Sequence, residues 1–337
     1  MINSVWFIVL AFMLAGYAVL DGFDLGVGTI HLFLGRDRLE RARLIDSIGP
    51  VWNGNEVWLL AAGGSMVVAF PNLYATSFSG FYLALMLVLW LLLLRGLGIE
   101  FRHQIHHPMW EDAWDVVFSI ASLLLALLFG VAIGNVLRGV PFDAGGEFRG
   151  TFTVLLNPFS ILGGLLSVAT LSLHGACWAA LKTDGAVQAR ARRFATTLWG
   201  PVVVLLLGMV AASFVVRPDF TTNFTTYPLL WIWPAVTIAA LVANRFAAVR
   251  NDDRGAFLCS SAYIAGVLAS VAAGLYPMLL PAGPGSQHAG LDIYNAASPA
   301  GSLRIALVIY LIGISIVGIY LFNIYRIWKG KAGQVYH

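Results

Sequence analysis

The chain has 337 residues, of which 59% are hydrophobic and only 11% charged, with a mean hydropathy of +0.81. A soluble domain has too much polar surface to cover for such a composition, so the sequence specifies an all-α polytopic membrane protein. The formal charge of +3 is small, and it reflects the placement of loop residues, not a nucleic-acid surface.

Nine apolar stretches are long enough to cross a bilayer as helices, near residues 4–33, 49–70, 77–95, 112–136, 158–181, 196–216, 229–249, 256–280 and 303–326. All Lys and Arg except Arg138, Arg149, Arg217 and Arg304 fall in the connections after spans one, three, five and seven or in the C-terminal tail. The positive-inside rule then places the N-terminus outside and the C-terminus in the cytoplasm.

The first span is too long, too rich in glycine and too acidic for a cleaved signal peptide. It carries Asp21 and Asp24, which share a helix face at a spacing of three. An intramembrane carboxylate costs roughly 3 kcal/mol on insertion scales, so such acids face a protein interior or a water path. Gly22, Gly26 and Gly28 would let a second helix approach closely. After the mixed-charge turn 35–43, span two opens with Pro50 and brings Trp52, Asn53, Asn55, Glu56 and Trp58 into the membrane. A short loop makes the two spans neighbours, which puts Asp24 and Glu56 at similar depth. With Arg95 taken as the end of span three, no Lys or Arg is expected inside a span, and the acids are expected to have no internal salt bridge. Desolvation without a counter-charge favours a neutral carboxyl, and groups poised between charged and neutral forms suit a proton relay.

The histidines of the loop 100–107 lack the held geometry of a metal site. Cys177 and Cys259 have no CxxC spacing, which argues against a disulfide, an iron–sulfur site or a structural zinc. Span five holds a lone His174, which would be a haem ligand or a side chain bonded to a neighbouring helix; no second histidine lies at comparable depth. Leu20-Asp21-Gly22 and Leu173-His174-Gly175 share Leu-x-Gly, each followed by an arginine-rich loop and then Pro50 or Pro201. This suggests two four-helix bundles, about 1–140 and 155–282, plus a peripheral helix at 303–326 in one membrane domain 1–337. There is no phosphate-binding loop, no dinucleotide fingerprint and no nucleophile–base pair. A proton-coupled secondary transporter remains an alternative on these features alone.

Gly16-Tyr-Ala-Val-Leu-Asp-Gly-Phe-Asp-Leu-Gly-Val-Gly28 and Pro50-Val-Trp-Asn-Gly-Asn-Glu-Val-Trp-Leu59 closely resemble the N-terminal signature of subunit II of cytochrome bd-type quinol oxidases. The similarity continues through Phe78–Tyr82, Arg95–Gly98, Gly139–Phe142 and Leu156–Phe159. The resemblance implies a bacterial or archaeal cytoplasmic-membrane oxidase that oxidises quinol and reduces dioxygen to water. It implies a haem-bearing subunit I holding two haems b and one haem d, with a small single-helix accessory subunit as a further partner. This chain would then be the non-haem subunit, binding no metal itself, supporting the haem sites, supplying protons from the cytoplasm and holding a structural quinone. Carried over by motif, Asp21, Asp24 and the stretch Trp52, Asn55 and Trp58 would line the interface with subunit I. Many relatives have Asp where this chain has Asn53. An amide orders water but does not exchange a proton with it at physiological pH, so Glu56 or Asp24 is expected to take the relay role.

Overall fold

The computed structural model describes residues 1–332, and almost all regular structure in them is helical. In chain order the helices are α1 (Ile2–Leu34), α2 (Arg38–Asp46), α3 (Trp52–Ala69), α4 (Pro71–Gly80), α5 (Tyr82–Phe101), α6 (Pro108–Arg138) and α7 (Phe152–Leu155). They are followed by α8 (Pro158–Lys182), α9 (Gly185–Val216), α10 (Thr222–Thr226), α11 (Ile232–Val249), α12 (Asp253–Leu275) and α13 (Ala300–Ile327). Proline begins α4, α6 and α8, where its missing N–H is harmless. The Asn157 side chain caps α8 by accepting from the Ser160 N–H at 3.0 Å.

Among the described residues, eight helices are long and apolar enough to span a bilayer. The expected span at 49–70 forms α3, 18 residues long, which is not among the eight because its first turns carry Asn53, Asn55 and Glu56. Outward faces are apolar: Ile309 and Ile316 on α13 are 66% and 63% exposed. Such a surface suits lipid or another membrane subunit, not water.

α1 and α8 form the centre. α1 packs against α3, α6, α8 and α12, and α8 against α6, α9 and α12. The two cross backbone to backbone: a Cβ on Gly26 would lie 1.9 Å from the Leu171 carbonyl oxygen, and one on Gly175 would lie 2.2 Å from the Gly26 carbonyl carbon. The glycines of the two Leu-x-Gly segments thus lie at one contact, with Gly22 against Leu171 and Gly175 against Gly26. Phe23 stacks on Trp178 at 4.0 Å beside it.

The end of the bundle opposite the arginine-rich turns is covered by an antiparallel ribbon, β1 (Met278–Pro281) with β2 (Gly290–Asp292). It is tied to the end of α6 by Val140 N–H donating to the Pro281 carbonyl at 3.1 Å. Gly139 has φ +84°, and a Cβ there would sit 2.5 Å from the Ala282 carbonyl oxygen, so this corner needs glycine.

At the arginine-rich end, α2 carries a capping box: Asp37 accepts from the Glu40 N–H at 2.9 Å and Glu40 accepts from the Arg36 N–H at 2.8 Å. Glu40 also pairs with Arg190 of α9 at 2.5 Å. The guanidinium holds its carboxyl below the usual range. A depressed folded value means the stabilisation is present above the unfolded carboxylate range and is lost as pH falls through the folded value. Glu40→Gln is therefore expected to cost under about 1 kcal/mol near neutral pH and nothing in acid, measured as the thermal unfolding midpoint against pH.

Candidate functional site: a buried carboxylate cluster

Asp21 and Asp24 are fully buried on α1. They are not without a counter-charge, as the sequence led us to expect. Arg95 of α5, 1% exposed, forks onto Asp21 through Nη2 at 2.7 Å and Nη1 at 3.1 Å, and its Nη2 lies 3.7 Å from Asp24. The hydropathy signal ends at this arginine, but α5 runs on to Phe101, so Arg95 lies inside the helix and under the bundle. A bidentate arginine–carboxylate pair supplies the geometry that burial of charge demands. The Arg95 guanidinium also lies 5.9 Å from the Trp52 ring centroid.

One arginine faces two acids, so the trio carries surplus negative charge when both are ionised. Asp24 takes a second partner instead: Asn55 Nδ2 of α3 donates to its Oδ2 at 2.8 Å. The Tyr325 hydroxyl of α13 donates to Asn55 Oδ1 at 2.8 Å. Asp24 Oδ1, Arg95 Nε and the indole nitrogens of Trp52 and Trp58 are buried with no hydrogen-bond partner among the described residues. Asp24 Oδ1 and Arg95 Nε, unpaired in neighbouring side chains, leave room for water or a partner's groups at this pair.

The other expected residues divide by helix face. Asn55 is fully buried and turned inward, bonded within the chain, and Trp52 and Trp58 are each 8% exposed. Asn53 lies on the outer face of α3 with Val57 and Leu60, and Glu56 is half-buried between that face and the acids. Glu56 is within electrostatic reach of Arg95 and Asp21. His174 is fully buried, with Nδ1 on the Ser260 hydroxyl at 2.7 Å, Nε2 on the Val19 carbonyl at 3.0 Å and the ring stacked on Phe257 at 4.9 Å. Both nitrogens are engaged by protein, which leaves neither for a haem iron.

A cavity of about 440 Å³ lies between α1, α3 and α13, lined by Trp6, Met13, Trp58, Ser65 and Tyr310 among others. Its walls are largely apolar.

A second buried cluster escaped the sequence reading. His31 Nε2 of α1 bonds Asp115 Oδ1 of α6 at 2.9 Å, and Arg102 Nε donates to the same oxygen at 2.6 Å. Arg41 lies 3.6 Å from Asp115 and 3.3 Å from Asp112, which also pairs with Arg38 at 2.8 Å. His31 lies ten residues after Asp21 and seven after Asp24, on one helical stripe; that spacing was the one signal available.

The profile of the family described as cytochrome bd terminal oxidase subunit II matches residues 2–328. A probable cytochrome oxidase subunit 2 of Haemophilus influenzae is 34% identical, covering 97% of this chain and 93% of the relative. Cytochrome bd-I ubiquinol oxidase subunit 2 of Escherichia coli K12 is 32% identical over 97% of this chain and 94% of its own. The Bacillus subtilis cytochrome bd ubiquinol oxidase subunit 2 is 34% identical over 96% of each. The solved structure of bd oxidase from Geobacillus thermodenitrificans shares the fold at a TM-score of 0.80, with 18% identity over 97% of this chain and 98% of that one. With nearly its whole length matched by that profile and by relatives above 30% identity, the chain belongs to the cytochrome bd terminal oxidase subunit II family and is a subunit of a membrane-bound quinol oxidase.

Proposed function

We propose that this chain delivers protons to the oxygen-reducing centre of its complex through Glu56 and Asp24, with Asp21 and Arg95 as the fixed ion pair beside them. The observation that carries this is the shared arginine. Asp21 is locked by a two-pronged bond, whereas Asp24 has one neutral donor, a longer approach to Arg95 and one oxygen unpaired. Of the two acids, Asp24 is the one free to change its protonation state. Glu56 is half-buried between it and the outer face that carries Asn53, and Asn53 orders water at the mouth without exchanging protons. In this reading α3 is the ninth span, the arginine-rich turns are cytoplasmic, and the N-terminus is outside. The two bundles of about 1–140 and 155–282 meet at the Gly26–Gly175 crossing, with α13 peripheral.

The partner is the haem-bearing subunit I, joined by a small accessory helix. It holds two haems b and one haem d, which supply electron transfer and oxygen reduction when bound, and quinol and dioxygen are the substrates of the complex. The engaged His174 supports placing all three haems outside this chain. The outer face of α3, with Trp52 and Trp58 just beneath it, meets subunit I. The cavity between α1, α3 and α13 accommodates a structural quinone, its apolar walls taking the ring and tail.

The test is quinol-driven oxygen uptake by the purified complex carrying Asp24→Asn or Glu56→Gln. Each is expected to keep the haem spectrum and lose turnover on the order of tenfold or more. Full turnover in both assembled variants would remove the relay from this chain.

A further inference from the structure

The Asp24 carboxylate ends a hydrogen-bonded chain that crosses three helices. Tyr325 OH of α13 donates to Asn55 Oδ1 of α3, and Asn55 Nδ2 donates to Asp24 Oδ2 of α1, each at 2.8 Å. An amide has an acceptor end and a donor end, a carboxylate only accepts, a protonated carboxyl also donates, and a phenol does either. From these capacities we infer that Asn55 is a rotor, with Tyr325 as the positioning residue that lets it satisfy Asp24 both charged and neutral. With Asp24 ionised, the amide N–H bonds the carboxylate and the tyrosine hydroxyl donates to the amide oxygen, the donor–acceptor order of the two bonds above. When a proton arrives on Asp24, the amide turns over. The new carboxyl O–H donates to Asn55 Oδ1, and Nδ2 donates to the Tyr325 oxygen, whose own hydrogen swings away. No proton passes through Asn55; the one gained by Asp24 comes from, and returns to, the relay. A partner fixed as a donor, such as an ammonium group, would serve only the first state, and a methyl group neither.

The fold fixes the tyrosine end of this device. Tyr325 lies in the last turn of α13, edge-on to the Trp178 ring at 6.3 Å. The chain just beyond it is clasped to the end of α8 by two lysines. Lys331 Nζ donates to the carbonyls of Leu181 and Thr183, each at 2.8 Å, while Lys182 Nζ donates to the carbonyls of Trp328 and Gly330. The Ala332 N–H closes the loop onto the Lys182 carbonyl at 2.8 Å. This clasp, with the packing of Tyr325 on Trp178 and of Tyr320 and Leu321 on Gly54 of α3, holds the hydroxyl over Asn55.

The charged and titratable groups around Asp24 are Asp21 and Tyr17 on its own helix, Arg95 from α5, Glu56 from α3 and Tyr325 from α13. Across the α8 contact His174 is already bonded to Val19 and Ser260. Of these, only Tyr325 touches the amide.

This inference rests on Asp24 being a proton-carrying group of the relay, and the experiment separates the two. The complex is purified unaltered, as Tyr325→Phe and as Asp24→Asn. Oxygen uptake is recorded across pH, together with the infrared carbonyl stretch of the protonated carboxyl that disappears in Asp24→Asn. Tyr325→Phe is expected to keep the haem spectrum, displace the pH profile by about one unit and move the Asp24 band. An unmoved profile and band in Tyr325→Phe, with Asp24→Asn slowed, overturns the rotor and leaves the relay standing. Full turnover of Asp24→Asn overturns the relay, and the rotor with it. Should Tyr325→Phe fail to assemble, the unaltered complex with ring-deuterated tyrosine decides. A tyrosine C–O stretch must shift between donor and acceptor positions as Asp24 titrates, and a stationary band overturns the rotor.

Discussion

Arg95→Met is expected to be the most damaging single change in the membrane interior. Methionine fills the volume but leaves Asp21 and Asp24 buried without a cation, and breaking a buried ion pair from one side costs about 3–5 kcal/mol. The haem-loaded complex should be recovered in much lower yield and unfold at a lower temperature. Asp21→Asn in the Arg95→Met background removes the stranded charge and should recover part of both. The pair tests the cause: a double variant no better than Arg95→Met would mean that the arginine acts through something other than charge balance. Full yield and an unchanged unfolding midpoint in Arg95→Met alone would show that the acids need no counter-charge.

Gly26→Val should rival it by a different route. The valine Cβ would begin 1.9 Å from the Leu171 carbonyl oxygen and 2.8 Å from the Gly175 nitrogen. Both are backbone atoms, which no rotamer change can move. α1 and α8 would have to separate, which loosens the Phe23–Trp178 stack and the His174–Val19 bond at the same crossing. Overpacking of this kind costs about 3 kcal/mol or more where the neighbour cannot give. Gly318→Ala on α13 is the control, since nothing lies within 4 Å of its Cβ position, and it should leave the unfolding midpoint unchanged. If Gly26→Val assembled as well as that control, the helices would not be in backbone contact.

The oxidase reading does not depend on either result, because it follows from the sequence match along the chain. The relay and the rotor do depend on local geometry. Both place the changing charge on Asp24 and the fixed charge on Asp21, so Asp21→Asn should cost assembly more than turnover, the reverse of Asp24→Asn.

The sequence by itself determined the class of the protein, the run of its apolar helices, the two intramembrane acids and the family. Each of those signals is local: a run of apolar residues, a carboxylate that does not belong in it, a motif of contiguous residues. It also marked Gly22, Gly26 and Gly28 as a place where some helix comes close, but that the helix is α8, at Leu171 and Gly175, is seen only in the fold.

What it could not determine were the partners of those acids. Arg95 reads as the end of a span because hydropathy stops at the first charge, while burial of that charge is decided by a carboxylate 74 residues away. Tyr325 reaches Asn55 across 270 residues, a separation over which no periodicity or propensity carries information. His31 went unread for the same reason, and Asp115 was visible only as an acid near the entrance of its span; the packing of α1 against α6 makes them a pair. Buried charge is settled by pairing, pairing by tertiary contact, and so the chemistry of this site was decided where the helices meet.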